Sequence, residues 1–218
     1  EKCKDVMEAL PNVLVLSGGG YGHVPVPLFK QPEPLNSKFA KPVAERGLLV
    51  NYMGSRRNAP YDMRERMIKT VEKAASEMGA KKRVYIGYGG ADQWHRVMGN
   101  SRASLCPRGY GRTAFHVVET LQMGHVPVHV YLDIPWVPYA ELFASLGFAT
   151  TVEGLPRLLE RLESMSNSSL EAMEARVRDV RESHFTVDGM LAQIFRFLTG
   201  KDGGGDMRCQ RLPKTMNS

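Results

Sequence analysis

The stretch Ser104-Leu-Cys-Pro-Arg-Gly-Tyr-Gly-Arg-Thr-Ala-Phe-His-Val-Val-Glu-Thr-Leu-Gln-Met-Gly-His-Val-Pro-Val-His-Val-Tyr-Leu-Asp133 decides how the rest of the chain is read. An apolar run closing near Cys106 is followed by a turn with Gly109 and Gly111, a periodic segment from about Thr113 to Met123, a stop at Gly124 and an apolar run from Val126 to Tyr131. Those signals spell strand, tight turn, helix, strand. The turn carries Arg108, Gly109, Tyr110, Gly111, Arg112 and Thr113. Its amides are expected to point into a concave space at a helix N-terminus, flanked by two guanidiniums, which suits a phosphate or diphosphate.

Working outward, the same alternation continues on both sides. Leu48 to Met53 reads as a strand running into Gly54-Ser-Arg-Arg57, and Asp62-x-x-Glu65 as a capping box for a helix to about Met78. On that helix Met63, Met67, Val71, Ala74, Ala75 and Met78 recur at helical spacing, a packing stripe. Arg83 to Gly87 is the next strand and Asp92 to Asn100 a short helix or turn. Beyond Asp133 come a loop rich in proline and aromatics, a strand at 148–152 and three helices, at 155–165, 170–184 and 190–198. The pattern predicts an α/β fold, a Rossmann-like parallel sheet with helices on both faces. Such a sheet takes its ligands at the carboxyl ends of its strands, where Ser55 to Arg57, including Arg56, and Arg108 to Thr113 both fall.

Residues 1–46 differ in kind. Val13 to Leu16 reads as a strand, Gly18 to Gly20 as an ordinary turn in preference to a second phosphate cradle because prolines and no helix signal follow it, and Lys30 to Arg46 as a proline-bearing connection without periodicity. Residues 47–199 are expected to form the ligand-binding domain and residues 200–218 a disordered tail. The sequence begins at Glu1 and not at methionine, so further sequence upstream is expected.

With 218 residues, 43% of them hydrophobic, the chain can bury a real core, and no apolar run approaches the roughly 20 residues of a membrane span. Cys3, Cys106 and Cys209 have no zinc-type spacing and no even pairing; Cys106 is expected in the core. His125 and His129 could share a strand face, but one is next to the helix stop and no carboxylate pair is nearby, a weak metal signal, so no metal site is expected. Residues 47–112 hold 13 Lys and Arg against 5 Asp and Glu, whereas residues 113–200 hold 6 against 11. The basic half either steers an anionic ligand toward the turn or is partly a set of solvated lysines such as Lys81 and Lys82. Nothing resembles a reading helix or an aromatic-basic sheet, so no nucleic-acid partner is expected.

Arg112, His116 and Glu119 stand at i, i+4 and i+7 and are expected to share one face of the central helix. Either they form an ion-pair ladder on a wet face, or Arg108 and Arg112 hold a diphosphate while Glu119 accepts the hydroxyls of a sugar such as ribose. Gly109-Tyr-Gly-Arg-Thr-Ala114, followed by Asp133 at the end of the next strand, also mimics a dinucleotide fingerprint. That leaves a Rossmann oxidoreductase as an alternative, although the turn does not open the first strand-helix-strand unit of its domain.

Several short blocks carry a family likeness: Ser104-x-x-Cys-Pro-Arg-Gly-Tyr-Gly, then Val-Glu119-Thr-Leu, Gly124-x-Val-Pro-Val and Asp133-x-Pro-x-x-Pro-Tyr. Together they resemble the exostosin family of glycosyltransferases, over roughly residues 48–165, and look closest to its algal members. The resemblance implies the C-terminal, donor-binding half of a GT-B type enzyme, with residues 1–46 ending an N-terminal acceptor domain. It implies inverting transfer from a nucleotide diphosphate sugar, UDP-linked in many members, to a glycan acceptor, in a Golgi-lumenal protein anchored upstream. By position it places Arg108 and the Gly109 to Gly111 turn at the donor phosphates and Glu119 at the family's acidic residue, and no cofactor beyond the substrate is required. His116 stands where many members have arginine. A non-catalytic carbohydrate- or nucleotide-binding module of the same fold is the alternative this departure motivates, and no general base is named.

Overall fold

The computed structural model describes residues 12–30 and 34–210. Cys3 and residues 211–218 lie outside it. Two short parallel strands, β1 (Leu16–Ser17) and β2 (Val24–Pro25), precede the main sheet. Then follow β3 (Leu48–Met53), α1 (Met63–Glu77), β4 (Val84–Gly87), α2 (Ala91–Gly99), β5 (Ser101–Pro107) and α3 (Phe115–Gln122). After these come β6 (Pro127–Tyr131), α4 (Ala140–Phe143), β7 (Phe148–Thr151), α5 (Leu155–Ser164), α6 (Asn167–His184) and α7 (Val187–Thr199).

The five long-range strands pair in parallel in the order β4-β3-β5-β6-β7. β5 is buried along its whole length, because a parallel sheet covered on both faces needs apolar residues on both sides of each central strand. Leu105 faces a core cluster with Val50, Val128 and the α1 and α5 residues Met67, Val71, Leu155 and Leu159. Its neighbour Cys106 faces the opposite cluster, with Val117 and Leu121 of α3 and Val177 of α6. Burial pushes the Cys106 thiol up to about 12, which makes it an inert core residue as expected. The chain is therefore a Rossmann-like α/β fold with helices on both faces of a parallel sheet.

The chain leaves β3 toward β4 on one side and, after crossing back, leaves β5 toward β6 on the other. The order reverses between β3 and β5, and a crevice opens at their carboxyl ends.

Several local expectations change. The capping box at Asp62 does not form: Asp62 has a left-handed backbone (φ 48°) and caps nothing, since capping needs an extended residue. Glu65 pairs with Arg56 at 3.2 Å instead. Residues 200–210, expected to be disordered, are ordered by specific contacts. Met207 is buried, Asp206 meets His184 Nε2 at 2.9 Å, and the Gln210 amide donates to the His23 carbonyl at 2.7 Å.

Residues 12–30 lie against this same body. Val24 is enclosed with Cys106 and Val117, and the Trp136 indole donates to the Ser17 carbonyl at 3.0 Å. The segment before β3 is tied down by Arg46, whose guanidinium meets the Glu174 carboxylate (Nη2 to Oε2, 3.0 Å), while His125 Nδ1 stands 3.0 Å from the other oxygen. Among the described residues no helix is long and apolar enough to cross a membrane.

Candidate functional site

A cavity of about 630 Å³ occupies the crevice at the carboxyl ends of β3, β4 and β5. Its walls are the turns after those strands (Met53 to Ser55, Tyr88 to Gly90, Gly109 to Gly111), the start of α3, Trp94 of α2, and Gly19, Leu28 and Lys30 from the N-terminal segment. The switch point of the sheet and this hollow therefore coincide.

Of the residues singled out from the sequence, Gly109, Tyr110, Gly111, Thr113, His116 and Glu119 line this cavity; Arg56, Arg108 and Arg112 do not. Arg56 is exposed, paired with Glu65, and borders a neighbouring hollow. Arg108 is 95% buried, and each of its three guanidinium nitrogens has an acceptor. Nε donates to the Gly111 carbonyl at 2.9 Å, Nη2 to the Tyr110 carbonyl at 3.1 Å and Nη1 to Asp133 Oδ1 at 2.8 Å. Arg112 Nε takes Asp133 Oδ2 at 2.6 Å, its Nη1 donates to the Gly20 carbonyl at 2.8 Å, and its guanidinium lies 4.9 Å from the centre of the Tyr21 ring.

The expectation that these two arginines face a diphosphate is revised: they staple the turn to the end of β6. Burial alone would raise the Asp133 carboxyl, but the bond from Arg112 and the charges of both arginines hold it below the usual carboxylate range. Asp133 is thereby spent on the protein itself. It does not line the cavity, so the dinucleotide alternative loses its acidic residue there.

Arg112 also precedes α3 instead of opening it, so the expected face shared by Arg112, His116 and Glu119 is not one helix face. Nor is it wet: the His116 and Glu119 side chains are 13% and 8% exposed. The solvent-exposed ladder is excluded by that burial.

Two glycine turns interlock here. The Arg112 amide donates to the Gly19 carbonyl at 3.0 Å, and a Cβ on Gly111 would sit 2.5 Å from that same oxygen. Gly20 has φ +95° and would place a Cβ 2.3 Å from the Arg112 Cβ. The Gly18 to Gly20 run is thus a docking surface for the second turn. The amides of Arg108 and Gly109 are taken by the carbonyls of Val130 and Thr113. Those of Tyr110, Gly111 and Thr113 bond to no other backbone group among the described residues, and all three residues line the cavity.

Two cations that the sequence reading passed over line the cavity. Arg64, in the first turn of α1, donates from Nε to the Arg108 carbonyl at 3.1 Å and from Nη1 to the Ser55 carbonyl at 3.0 Å, bridging the ends of β5 and β3. Lys30 Nζ stands 2.6 Å from Glu119 Oε1 and 5.5 Å from the centre of the Phe115 ring. Arg64 was hidden inside an amphipathic helix with no motif around it, and Lys30 by an unpatterned connection. In the cavity wall His116 is stacked on Trp94, with ring centres 5.7 Å apart, and its Nε2 is 2.9 Å from Ser104 Oγ. Burial, with Arg64 and Lys30 nearby, lowers the His116 pKa to about 4, so the ring is neutral at physiological pH.

His125 and His129 do not converge. One faces Glu174, and the other sits in the sheet with Nδ1 3.2 Å from the Cys106 carbonyl. Among the described residues no group of three or more His, Cys, Asp or Glu gathers in a metal-binding cluster.

No family model matches the sequence, and no curated protein matches it. Solved structures do. TarM superposes with a TM-score of 0.51 at 10% identity, over 77% of this chain and 37% of that one. The likeness is one of fold. WaaG, described as a glycosyltransferase involved in lipopolysaccharide biosynthesis, gives 0.47 at 15% identity over 81% of this chain and 56% of that one. HepE of Anabaena, solved in complex with UDP, gives 0.40 at 18% identity, over 72% and 50%. The chain spans between 37% and 56% of the length of these proteins.

Proposed function

We propose that this chain is the donor-binding part of a glycosyltransferase of exostosin type, the C-terminal half of a GT-B architecture, which holds a nucleotide diphosphate sugar in the switch-point cavity. The observation that carries the reading is the convergence, around one 630 Å³ hollow, of a glycine turn whose Tyr110, Gly111 and Thr113 amides have no backbone partner among the described residues, the Arg64 and Lys30 cations and the Glu119 carboxylate. Amides and guanidinium suit the diphosphate, and the carboxylate suits the sugar hydroxyls of the nucleoside. The family blocks around Arg108, Glu119 and Asp133 support the same reading. Donors fixed beside the leaving diphosphate would stabilise the charge it gains in the transition state.

In this reading the donor is UDP-linked, transfer goes with inversion to a glycan acceptor bound largely by sequence beyond this chain, and the enzyme works in the Golgi lumen from an upstream anchor. No cofactor besides the sugar nucleotide is invoked.

Isothermal titration with UDP, GDP, ADP and inorganic pyrophosphate tests the donor site, and the nucleotide that binds tightest identifies the base. Folded protein that takes up none of them overturns the reading. The inward-turned Arg108 and Arg112 favour one rival, a module that binds a sugar nucleotide without turning it over, because they withdraw two cations from the leaving group. Product formed by the complete protein from a donor and acceptor panel excludes that rival.

A further inference from the structure

The proton order behind His116 is fixed by its neighbours. Asn51 of β3 and Ser104 of β5 are partners across the sheet, and both are buried. Asn51 Nδ2 donates to the Ala103 carbonyl at 3.5 Å, which leaves Oδ1 to accept from the Ser104 hydroxyl at 3.1 Å. A hydroxyl has one proton to give. Toward His116 Nε2, 2.9 Å away, Ser104 can therefore only accept, and Nε2 carries the ring proton.

The other ring nitrogen is then a bare lone pair. Nδ1 lies 3.8 Å from Glu119 Oε2, an acceptor beside an acceptor with no proton between them, while Lys30 engages Oε1 on the far side of the same carboxylate. The stack on Trp94 and the bond from Nε2 to Ser104 together hold the imidazole in this orientation. Two fixed acceptors side by side in a cavity wall call for a ligand with two adjacent donors. A vicinal diol offers that pair: two hydroxyls on neighbouring carbons, each with a proton to give.

We propose that His116 is a specificity-determining residue, accepting through Nδ1 one hydroxyl of a ribose whose other hydroxyl is held by Glu119, so that the site selects ribonucleoside over deoxyribonucleoside diphosphates. This rests on the nucleotide reading above. It assigns the discrimination to an acceptor whose direction is set by Asn51 and Ser104, two residues that do not line the cavity.

The experiment titrates UDP, 2′-deoxy-UDP, 3′-deoxy-UDP and pyrophosphate into wild type and His116→Gln, with ¹⁵N NMR of the histidines in the wild type. Glutamine keeps an amide donor near the Nε2 position and has no acceptor at Nδ1. In the wild type the deoxy analogue that loses the His116 contact should bind about five- to tenfold more weakly than UDP, the effect of one net neutral hydrogen bond, and the one that loses the Glu119 contact about ten- to a hundredfold more weakly, as for a bond to a charged group. In His116→Gln one of the two penalties should vanish, the other persist, and pyrophosphate binding stay unchanged. The NMR spectrum should show the Nε2-protonated neutral form for His116.

UDP binding without either deoxy penalty, both penalties intact in His116→Gln, or an Nδ1-protonated ring each overturns the assignment while the nucleotide reading stands. A folded wild type that binds none of UDP, GDP and ADP removes both. The wild-type titrations and spectrum decide the matter even where the variant fails to fold.

Discussion

Arg108 Nη1 donates a 2.8 Å hydrogen bond to Asp133 Oδ1, joining the turn after β5 to the loop after β6. Neither side chain borders the cavity. Arg108→Ala and Asp133→Ala should therefore destabilise the fold, each by about 3 to 5 kcal/mol, as when one partner of a buried pair is removed. A nucleotide diphosphate bound to the residual folded protein should lose affinity only as far as the turn loosens. Urea unfolding alongside titration separates the two effects. An Arg108→Ala protein of unchanged stability with lost pyrophosphate binding would restore that arginine to the ligand.

Arg64 and Glu119 should divide the ligand between them. Arg64→Ala is expected to weaken pyrophosphate and UDP equally, by about 1.5 to 3 kcal/mol, the range for hydrogen bonds to charged groups. Glu119→Gln should weaken uridine and UDP alike and leave pyrophosphate nearly unchanged, because pyrophosphate has no hydroxyls. Equal loss of all three in Glu119→Gln would mean that the carboxylate acts by placing Lys30, its 2.6 Å partner.

How far the site could be read from sequence turns on range. The strand-turn-helix-strand reading of residues 104–133 matches β5, α3 and β6 closely, because glycine punctuation and apolar periodicity are local signals. The location of the cavity followed too, since the order of elements fixes the switch point. The assignment of cations did not follow. Two arginines beside a glycine turn look alike on paper whether they face a ligand or a buried carboxylate, and that carboxylate is 25 and 21 residues away along the chain. Arg64 carries no local mark of its role, because what makes it a wall of the cavity is the carbonyl of Arg108, 44 residues on. The Gly18 to Gly20 run reads as a turn and is one; its partner at Gly111 and Arg112 is set only by tertiary packing.

The interlocked turns give a sharp contrast among glycines. Gly111→Ala forces a methyl against the Gly19 carbonyl, and Gly20→Ala combines that kind of clash with an unfavourable φ of +95°. Each should cost about 1 to 3 kcal/mol. Gly90→Ala, on the opposite cavity wall with φ −74° and nothing within 4 Å of the new methyl, should be close to neutral. Thermal unfolding of the three variants checks the ranking, and a Gly111→Ala protein as stable as Gly90→Ala would mean that the two turns part at little cost.

Acid should unfold the protein in two windows. His129 is fully enclosed, and burial lowers its pKa from 6.5 to about 4; His116 is lowered similarly. The unfolded chain binds these protons first, so stability is intact above about pH 6.5 and falls as pH drops toward 4, by up to about 1.4 kcal/mol per pH unit for each ring. For Glu174 burial alone would raise the carboxyl, but the bonds from His125 and Arg46 bring it from 4.5 down to about 2. Its contribution is complete above about 4.5 and is lost as pH falls toward 2. Urea titrations from pH 3 to 8 should show a shallower upper window in His129→Leu and a shallower lower one in Glu174→Gln. Parallel curves for wild type and both variants would contradict the assignments.

Gly19, Leu28 and Lys30 line the same cavity as residues that follow β3, β4 and β5, so a ligand that fills it touches two stretches of chain at once. Whatever free energy such a ligand contributes by contacting both must count, by thermodynamic reciprocity, toward keeping the N-terminal stretch seated on the sheet. Occupancy of the cavity and attachment of residues 12–30 are thus one coupled equilibrium: hydrogen exchange at the Gly19 to Gly22 amides should slow on filling the cavity, and loosening those amides should lower affinity by the same factor.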